Sequence, residues 1–394
     1  MGTTFIVNPG STSRKYALYR DGACIVVLYF ESLPNDSFSM SVIRNGVKEK
    51  EYSLTKEEYT HSIAHALSYL QDNRDIATVD EIVLAGVRVV CPGTFFVEHK
   101  EIDSQYIDTL KEKQDVAPLH IPELLSEIEN LQKILPHTLL YGISDSAFHN
   151  TIPKHIRTIS VPKEDAELYD LRRFGYHGVS FSSIVHNYKK QYGNIPGRSI
   201  VCHIGGGVSI AALKDGKSIA TSMGYSPVSG LMMGSRGGDI TPGVVAALTS
   251  LKQLKGKELY EYLYKKSGFQ GVAGIHDLRV LLERKASADE DAELAVDMFI
   301  HQIRSWIGSH AVLLGGVDVL ILTATASVRN PYLRKLILSD LSILGIEFDE
   351  QKNDALIGAQ GYIHTQQSDV KVLVMKTDEM GEIDRQCRKL SKKN

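Results

Sequence analysis

The residues best suited to chemistry in this sequence lie in loops beside short apolar runs. Between Ser199 and Gly243, three consecutive glycines, Gly205, Gly206 and Gly207, follow an apolar run, and Arg236 stands later among small residues. Glycine backbone at a strand end lets N–H groups converge on an anion, and the arginine fork binds phosphate or carboxylate. The stretch therefore predicts an anion site, although turns and tight packing also use glycine clusters.

The first half of that stretch has a counterpart near the N-terminus. Both copies contain an apolar strand, a small polar loop, an alternating strand and an Asp-Gly hairpin turn, at Asp21-Gly22 and at Asp215-Gly216. The turns lie 194 residues apart, which predicts two related domains, because solenoid repeats have periods of roughly 20–50 residues. One phosphate-type loop in each half indicates an anion held by both; two unrelated hairpins are the alternative explanation.

Polar side chains that follow predicted strands or lie in loops form a second group of candidates: Asn8, Arg88, Asp145, His177, Arg236 and Glu379. Arg88 interrupts an apolar run, where a cation requires an anionic partner. Two arginines and a histidine without a nucleophile–base pair favour direct phosphoryl transfer, in which the protein positions groups and neutralises charge. Asn8 and Glu379 suit a hard divalent cation. The chain has no GxxxxGK[ST] motif, which excludes a P-loop NTPase.

The elements that position these residues alternate between strands and helices, which is the α/β pattern. With 394 residues the chain is long enough for two domains. We expect one lobe at residues 1–150, completed by a C-terminal helix at 380–394, and a second at 151–379. Within the first lobe, we expect Ala23–Phe30 to be an antiparallel edge strand and Lys56–Leu70 to be one helix.

Composition excludes several classes of protein. A formal net charge of −3 argues against a nucleic-acid partner. Four scattered cysteines without CxxC spacing are typical of a cytoplasmic protein with reduced thiols. We see no signal peptide and no apolar run near the ~20 residues that span a bilayer, so we expect no membrane association.

Several ordered motifs resemble those of the acetate kinase family over essentially the whole chain. They are NPGSTSRK at Asn8–Lys15, APLH at Ala117–His120, DSAFH at Asp145–His149, RRFGYHG at Arg172–Gly178, and TSMG with GLMMGSR at Thr221–Arg236. The resemblance implies an α/β, two-lobed, duplicated actin-like ATPase (ribonuclease H-like) fold. It also implies Mg²⁺-dependent transfer of phosphoryl from ATP to acetate or another short-chain carboxylate, giving acyl phosphate and ADP, with Mn²⁺ as an alternative metal. The family likeness further implies a homodimer formed through the second lobe.

The resemblance implies roles for individual residues. Those implied for catalysis are Arg88, Asp145, His177 and Arg236. Those implied for metal binding are Asn8 and Glu379. Those implied for the acyl substrate are Arg88, Val90, Leu119, His120, Tyr176 and Pro227. Those implied for the nucleotide are Lys15, His203, Ile204, Gly205, Gly206, Gly207, Asp277, Leu278, Arg279, Thr325, Ala326, Ser327, Val328 and Arg329.

The sequence departs from the family pattern chiefly in its nucleotide segment. The family's GIGEN is TASVR at Thr325–Arg329, which loses two glycines that admit the nucleoside and gains a cation. The family's HRVVHGG is VRVVCPG at Val87–Gly93, without both histidines, and its HLGNG is HIGGG at His203–Gly207. Tyr176 replaces a phenylalanine and adds a hydroxyl that needs a partner, which opens the acyl pocket to a more polar acid.

Three functions stay open at this point. The first is an ATP-dependent acyl kinase. The second is the same transfer from another donor, such as pyrophosphate, or to a larger acid such as propionate or butyrate. The third is a catalytically diverged regulatory homologue. Retention of Arg88, Asp145, His177, Arg236 and Glu379 favours catalysis, because a protein that only binds a ligand does not need this charge-stabilising set.

Overall fold

The computed structural model describes residues 2–10, 13–33, 36–118 and 121–392. The chain divides into two compact units: Met1–Ala147 with Asp378–Asn394, and Phe148–Thr377. The units divide between Ala147 and Phe148, three residues before the boundary that we expected after residue 150. Glu379, which we expected in the second lobe, groups with the first unit.

The first unit is built on an eight-stranded sheet with strand order β5-β4-β3-β2-β1-β6-β8-β7. Its strands are β1 (Thr3–Pro9), β2 (Ser13–Arg20), β3 (Ala23–Leu33), β4 (Ser37–Arg44), β5 (Val47–Leu54), β6 (Ile82–Val89), β7 (Lys100–Glu101) and β8 (Leu139–Ser144). β1 runs parallel to β6, and β6 runs parallel to β8. The carboxyl ends of these three strands therefore lie side by side.

The antiparallel half of this sheet is longer than the sequence predicted. Asp21 and Gly22, with φ of 50° and 87°, form the predicted two-residue turn between β2 and β3. However, β3 is not an edge strand, because β4 and β5 continue the sheet beyond it. β5 is exposed along nearly its whole length and rich in charge (VKEKEYSL), as suits an edge strand, and so lacks the apolar alternation that reveals a strand in sequence.

Four helices of the first unit come before its last parallel strand: α1 (Lys56–Thr60), α2 (Ser62–Asp72), α3 (Ser104–Glu112) and α4 (Ile121–Ile134). The prediction of a single helix for Lys56–Leu70 is wrong, because the helix is interrupted at His61. This residue caps the end of α1 and the start of α2, with φ −98° and ψ 35°. Thr55 and Glu58 start α1 with a reciprocal capping box. The apolar face of α2 still packs into the core.

The second unit repeats the same plan. Its strands are β9 (Arg198–Ile204), β10 (Val208–Lys214), β11 (Lys217–Thr221), β12 (Val319–Thr323), β13 (Gly361–Tyr362) and β14 (Lys371–Val374), in the order β11-β10-β9-β12-β14-β13. Antiparallel β9–β11 followed by parallel β12 and β14 match β1–β3, β6 and β8 of the first unit. Asp215 and Gly216 form the second predicted turn, with φ of 51° and 73°. The predicted duplication is confirmed.

The helices of the second unit are α5 (Lys154–Arg157), α6 (Lys163–Leu168), α7 (Gly178–Tyr192), α8 (Pro242–Leu251), α9 (Gly256–Lys265), α10 (Gly268–Ala273), α11 (Leu278–Ala286), α12 (Glu290–Leu314), α13 (Thr325–Arg329), α14 (Pro331–Leu338) and α15 (Glu350–Ala355). α12 buries one apolar stripe against its own sheet. None of the helices in the described part of the chain has the length and apolar composition needed to cross a bilayer.

The last helix, α16 (Glu379–Ser391), belongs to the first unit and packs on β6. A Cβ at Gly86 in β6 would lie 2.4 Å from Cys387 Sγ and 2.7 Å from Ile383 Cγ2. Glycine at that position is therefore what allows the helix to approach the strand so closely.

Candidate active site

Three candidate residues of the first unit come from the carboxyl ends of adjacent parallel strands. Asn8 lies near the end of β1, Arg88 is the penultimate residue of β6, and Asp145 directly follows β8. The Asp145 N–H donates to the Val89 carbonyl at 2.9 Å, which fixes the backbone where the carboxylate begins. Open α/β sheets bind ligands outside this edge of their strands, so the topology explains why these residues meet.

Arg88 is the centre of this first cluster. Its Nη2 and Nε donate to Asp145 at 2.9 and 3.3 Å, and its Nη1 donates to Asn8 Oδ1 at 3.3 Å. Its side chain is 15% exposed, and that of Asp145 is 1% exposed. Burial opposes the charge of Arg88, but Asp145 and Glu379 outweigh it, so the pKa of Arg88 is raised. Arg88 thus has the anionic partner that its apolar strand requires.

Glu379 completes the cluster from the first turn of α16. Its Oε2 lies 3.9 Å from Arg88 Nη1 and accepts a hydrogen bond from Asn8 Nδ2 at 3.3 Å. The carboxylates of Asp145 and Glu379 and the amide oxygen of Asn8 are hard oxygen donors, which fit a divalent cation such as Mg²⁺. No group of three His, Cys, Asp or Glu side chains in the described part of the chain could hold a metal. A cation held by Asn8 and Glu379 would therefore take its other ligands from water or phosphate oxygens.

Two residues that sequence reasoning missed support the end of β8. His99 Nδ1 accepts from the Ser144 N–H at 3.1 Å, and the Ser144 hydroxyl donates to the Phe96 carbonyl while it accepts from the Ser146 N–H. Burial lowers the pKa of His99 to about 4, so the ring is a neutral acceptor at pH 7. The bonds bracket Asp145 on both sides, and no motif or spacing in the sequence indicated them.

The remaining candidates of the first unit are less closely tied to the cluster. Lys15 is the cross-strand partner of Asn8, and its Nζ lies 5.1 Å from the centre of the Tyr29 ring. Val90 directly follows β6 and is partly exposed. Leu119 and His120, predicted for the acyl pocket, lie outside the described residues.

In the second unit, His177 lies at the start of α7 with a backbone conformation that is uncommon for residues other than glycine. Its φ of 59° and ψ of 21° are left-handed, which is costly for a residue with a Cβ. Outside turns, residues held in this way cluster at functional sites. Its Nδ1 is 2.8 Å from the Ser209 hydroxyl. A Cβ at Gly207 would stand 2.8 Å from His177 Nε2 and 3.7 Å from Arg236 Nη1. His177 and Arg236 therefore converge on the same glycine.

Arg236 is held without a carboxylate. Nη1 donates to the Pro227 carbonyl at 3.4 Å and approaches Met233 Sδ at 3.6 Å, and the guanidinium carbon lies 4.8 Å from the centre of the Tyr264 ring. Among the described residues no carboxylate comes within 4 Å of it, in contrast to Arg88. Its positive charge is thus available to an anionic ligand.

A second histidine lies against the first. The rings of His177 and His203 stack with centroids 4.2 Å apart and planes 21° apart, and His203 Nδ1 is 2.8 Å from the Ser180 hydroxyl. Ser180 and Ser209 are both fully buried. The sequence placed His203 in the nucleotide site, but it gave no sign of either serine.

Tyr176 does not present the unpartnered hydroxyl that the sequence led us to expect. The side chain is buried, and its hydroxyl donates to the Tyr225 carbonyl at 2.6 Å. Its own carbonyl is 3.0 Å from His149 Nε2. Because a protein group already satisfies this hydroxyl, the argument for a more polar acid loses its basis.

Two of the predicted nucleotide segments lie at the carboxyl ends of adjacent strands. The loop Gly205–Gly207 follows β9, the segment Thr325–Arg329 follows β12, and a Cβ at Gly205 would contact Ala324 Cβ at 3.4 Å. Thr325–Arg329 forms the short helix α13. Ser327 is fully buried and its hydroxyl donates to the Thr323 carbonyl. Its side chain therefore points into the unit, which corrects the expectation that it obstructs the nucleoside.

The exposed side chains of α13 are Thr325 and Arg329, four residues apart on one face, while Ala326 is partly exposed and Val328 is buried. The third predicted segment, Asp277–Arg279, starts α11: the Asp277 carboxylate accepts from the Arg279 N–H and pairs with its guanidinium at 2.6 Å. The adjoining His276 carbonyl packs against Gly234, in the same loop as Arg236.

Known proteins resemble this chain over almost its full length. Residues 3–385 match the acetokinase family. The chain is 33% identical over 411 residues to the acetate kinase of Acetivibrio thermocellus, with 98% of each chain covered. The crystal structure of Porphyromonas gingivalis acetate kinase has a TM-score of 0.86 at 32% identity, and that of a propionate kinase from Francisella tularensis has 0.88 at 28%; each comparison covers 99% of this chain and 100% of the other.

These matches confirm the resemblance that the motifs indicated, and with it the predicted duplicated actin-like ATPase fold. The ordered motifs, the two related sheets and the full-length matches agree with one another. The chain belongs to the acetokinase family and is a phosphotransferase that uses a carboxyl group as its acceptor.

Proposed function

We propose that this protein reversibly transfers a phosphoryl group from ATP to acetate, or to a similarly short carboxylate, with Mg²⁺ or alternatively Mn²⁺. The observation that carries the proposal is the convergence of Arg236 and His177 on Gly207. Among the described residues no carboxylate comes within 4 Å of Arg236. This cation and an imidazole beside a glycine loop form a site for a multiply charged anion. The names of the compared relatives, two acetate kinases and a propionate kinase, support a short carboxylate.

In the proposed reaction, a carboxylate oxygen attacks the γ-phosphorus and ADP leaves. During the transfer, charge spreads over the three equatorial oxygens. Arg236 and His177 stabilise that charge through prepositioned donors. Asn8 and Glu379 would hold the divalent cation, which supplies further charge neutralisation on the phosphate oxygens.

The first-unit cluster has a different role in this proposal. A carboxylate acceptor is already ionised at pH 7, so the reaction needs no general base. We therefore assign Asp145 the task of orienting Arg88, to which it is joined by two hydrogen bonds. Arg88 in turn binds the acyl carboxylate, and its partner keeps it charged and correctly directed.

ATP is the donor that the second unit supports. The inward position of Ser327 leaves Thr325 and Arg329 as the exposed side chains of α13, so the replacement of glycine at 327 adds no bulk to the exposed face. Arg329 is the main change in chemistry on that face. We expect ATP to bind with weaker affinity than a glycine-rich segment would give, and we keep pyrophosphate as the competing donor.

We further propose a cytoplasmic homodimer. Four free cysteines suit a reducing compartment. The family resemblance is what supports the dimer. Along α12, Leu294 and Met298 near one end and Val312 and Leu313 near the other are 38–82% exposed, so this helix is the surface of the second unit where we expect the contact. Light scattering at micromolar concentration should give twice the chain mass of 43.6 kDa; the mass of a single chain would contradict the dimer.

A hydroxamate assay tests the reaction directly. Acetate, propionate and butyrate are each combined with ATP, GTP and pyrophosphate, with Mg²⁺, with Mn²⁺ and with EDTA. We expect acyl phosphate from ATP with acetate or propionate, and none with EDTA. Arg236→Ala should abolish it, while Arg284→Ala, which alters a half-exposed arginine in α11, serves as the matched control. Turnover with pyrophosphate but not ATP would overturn the donor assignment, and no turnover with any donor would favour a regulatory homologue.

A further inference from the structure

The two stacked histidines of the second unit are each held by one buried serine. Ser209 in β10 lies 2.8 Å from Nδ1 of His177, and Ser180 in α7 lies 2.8 Å from Nδ1 of His203. Both serines are 0% exposed. The pairs use the same ring nitrogen, so both rings are tethered on the Nδ1 side.

Hydrogen-bond accounting fixes the direction of the Ser209 bond. Among the described residues, Nδ1 of His177 is the only partner that the Ser209 side chain has. If Nδ1 carried the proton, the serine would accept, and its own hydroxyl hydrogen would be buried without an acceptor, which is costly. If the hydroxyl donates to Nδ1 instead, both groups are satisfied. The imidazole is then neutral and its proton is on Nε2.

Nε2 is the nitrogen on the side of Gly207 and Arg236. A Cβ at Gly207 would lie 2.8 Å from it, so glycine alone leaves room beside this N–H. The His203 ring lies nearly flat against the His177 ring, so it limits rotation of the His177 side chain. Serine, stacked ring and glycine together fix both the tautomer and the direction of the N–H.

We infer that Ser209 is a positioning residue for the phosphoryl transfer, which holds His177 as a neutral imidazole whose Nε2–H donates to the transferring group. The inference rests on the proposed function for its catalytic consequence, but the tautomer itself does not. Ser180 has the equivalent effect on His203, whose ring supports His177 from the side. A neutral donor suits a step in which charge is stabilised and no proton is transferred.

The test compares Ser209→Ala with the matched variant Ser180→Ala. ¹⁵N NMR of the histidine rings should show Nε2–H in wild-type His177 and a mixture of tautomers in Ser209→Ala. We expect kcat to fall about 10- to 100-fold in Ser209→Ala while both KM values stay within about threefold. Ser180→Ala should shift mainly the His203 signals and lower kcat clearly less than Ser209→Ala does. Ser209→Thr, which keeps the hydroxyl, should restore the tautomer and most of kcat.

Several outcomes would overturn the inference. Protonation of Nδ1 in the wild type, or an unchanged tautomer in Ser209→Ala, would remove its basis. Equal losses of kcat in Ser209→Ala and Ser180→Ala would show that Ser209 makes only a structural contribution. Unfolding curves of both variants exclude global destabilisation as the cause. If the wild type had no acyl kinase activity, the NMR comparison would still decide the tautomer, so the two failures remain distinguishable.

Discussion

Arg334 offers a sharp test of how the second unit holds Thr325–Arg329, the segment that we propose for the nucleotide. It lies in α14, is 0% exposed, and donates five hydrogen bonds: to the carbonyls of Ser327 and Val328 in α13, to the carbonyls of Asn353 and Leu356, and to Asn353 Oδ1. Burial lowers its pKa to about 10, so it stays charged at pH 7. The guanidinium therefore serves as a buried cap for the end of α13.

The change Arg334→Met keeps the aliphatic stem and removes every donor. Five acceptor bonds are lost, and each buried acceptor left unpaired costs about 1–3 kcal/mol. Part of this cost is offset because the variant no longer buries a positive charge, which itself destabilises the folded state. We expect the free energy of unfolding to fall by about 3–5 kcal/mol. The loosened α13 should raise KM for ATP about tenfold, while KM for the carboxylate stays near wild type.

Urea unfolding and steady-state kinetics measure both effects. Arg304→Met is the matched control, because Arg304 also donates to backbone carbonyls, those of Leu336 and Ile337, but is partly exposed and does not bond to α13. It should cost less stability and leave KM for ATP unchanged. A loss below about 1 kcal/mol in Arg334→Met, or an equal rise in both KM values, would refute the capping argument.

Three further predictions concern the site and the core. Arg88→Ala should lower kcat ~10³-fold or more with folding intact, and steady-state rates near wild type would contradict its role. Gly207→Ala should strongly impair turnover, because its Cβ would lie 2.8 Å from His177 Nε2; full activity would show that the ring has room to move. Burial lowers the pKa of His310 to about 4 from 6.5, so the unfolded chain binds more protons between these values and stability falls as pH falls. Between pH 7.5 and 5, the free energy of unfolding of the wild type should fall by about 2 kcal/mol more than that of His310→Phe. Denaturant unfolding of both proteins measures this difference, and parallel pH profiles would argue against the buried neutral ring.

Sequence reasoning works best where local chemistry decides the structure. The two Asp-Gly turns require left-handed backbone, which aspartate and glycine tolerate, and both form as predicted. Arg88 within an apolar strand demanded an anion, and Asp145 supplies it. The carboxyl ends of parallel strands share an edge, so Asn8, Arg88 and Asp145 come together once the strands are recognised.

Sequence reasoning is weaker where tertiary contacts decide the outcome. β5 is charged because it is an exposed edge, so its pattern resembles a loop. Ser327 lies inward because Thr323 offers it a carbonyl, which no spacing reveals. Ser209 lies 32 residues from His177 in the sequence, and Ser180 lies 23 residues from His203. Only the packing of the sheet against the helix brings each serine to a ring nitrogen.

The discontinuity of the first unit has a consequence for the order of biosynthesis. Phe148–Thr377 is a single continuous segment, so the second unit is complete as soon as its last residue leaves the ribosome. The first unit begins earlier but lacks Glu379 and the helix that covers Gly86 until residues 379–391 have been synthesised. Domains usually fold as units in the order of synthesis; in this chain the domain made first is the last to be finished. Its sheet face beneath α16 is therefore exposed throughout synthesis of the second unit, and Glu379 is added only after that unit.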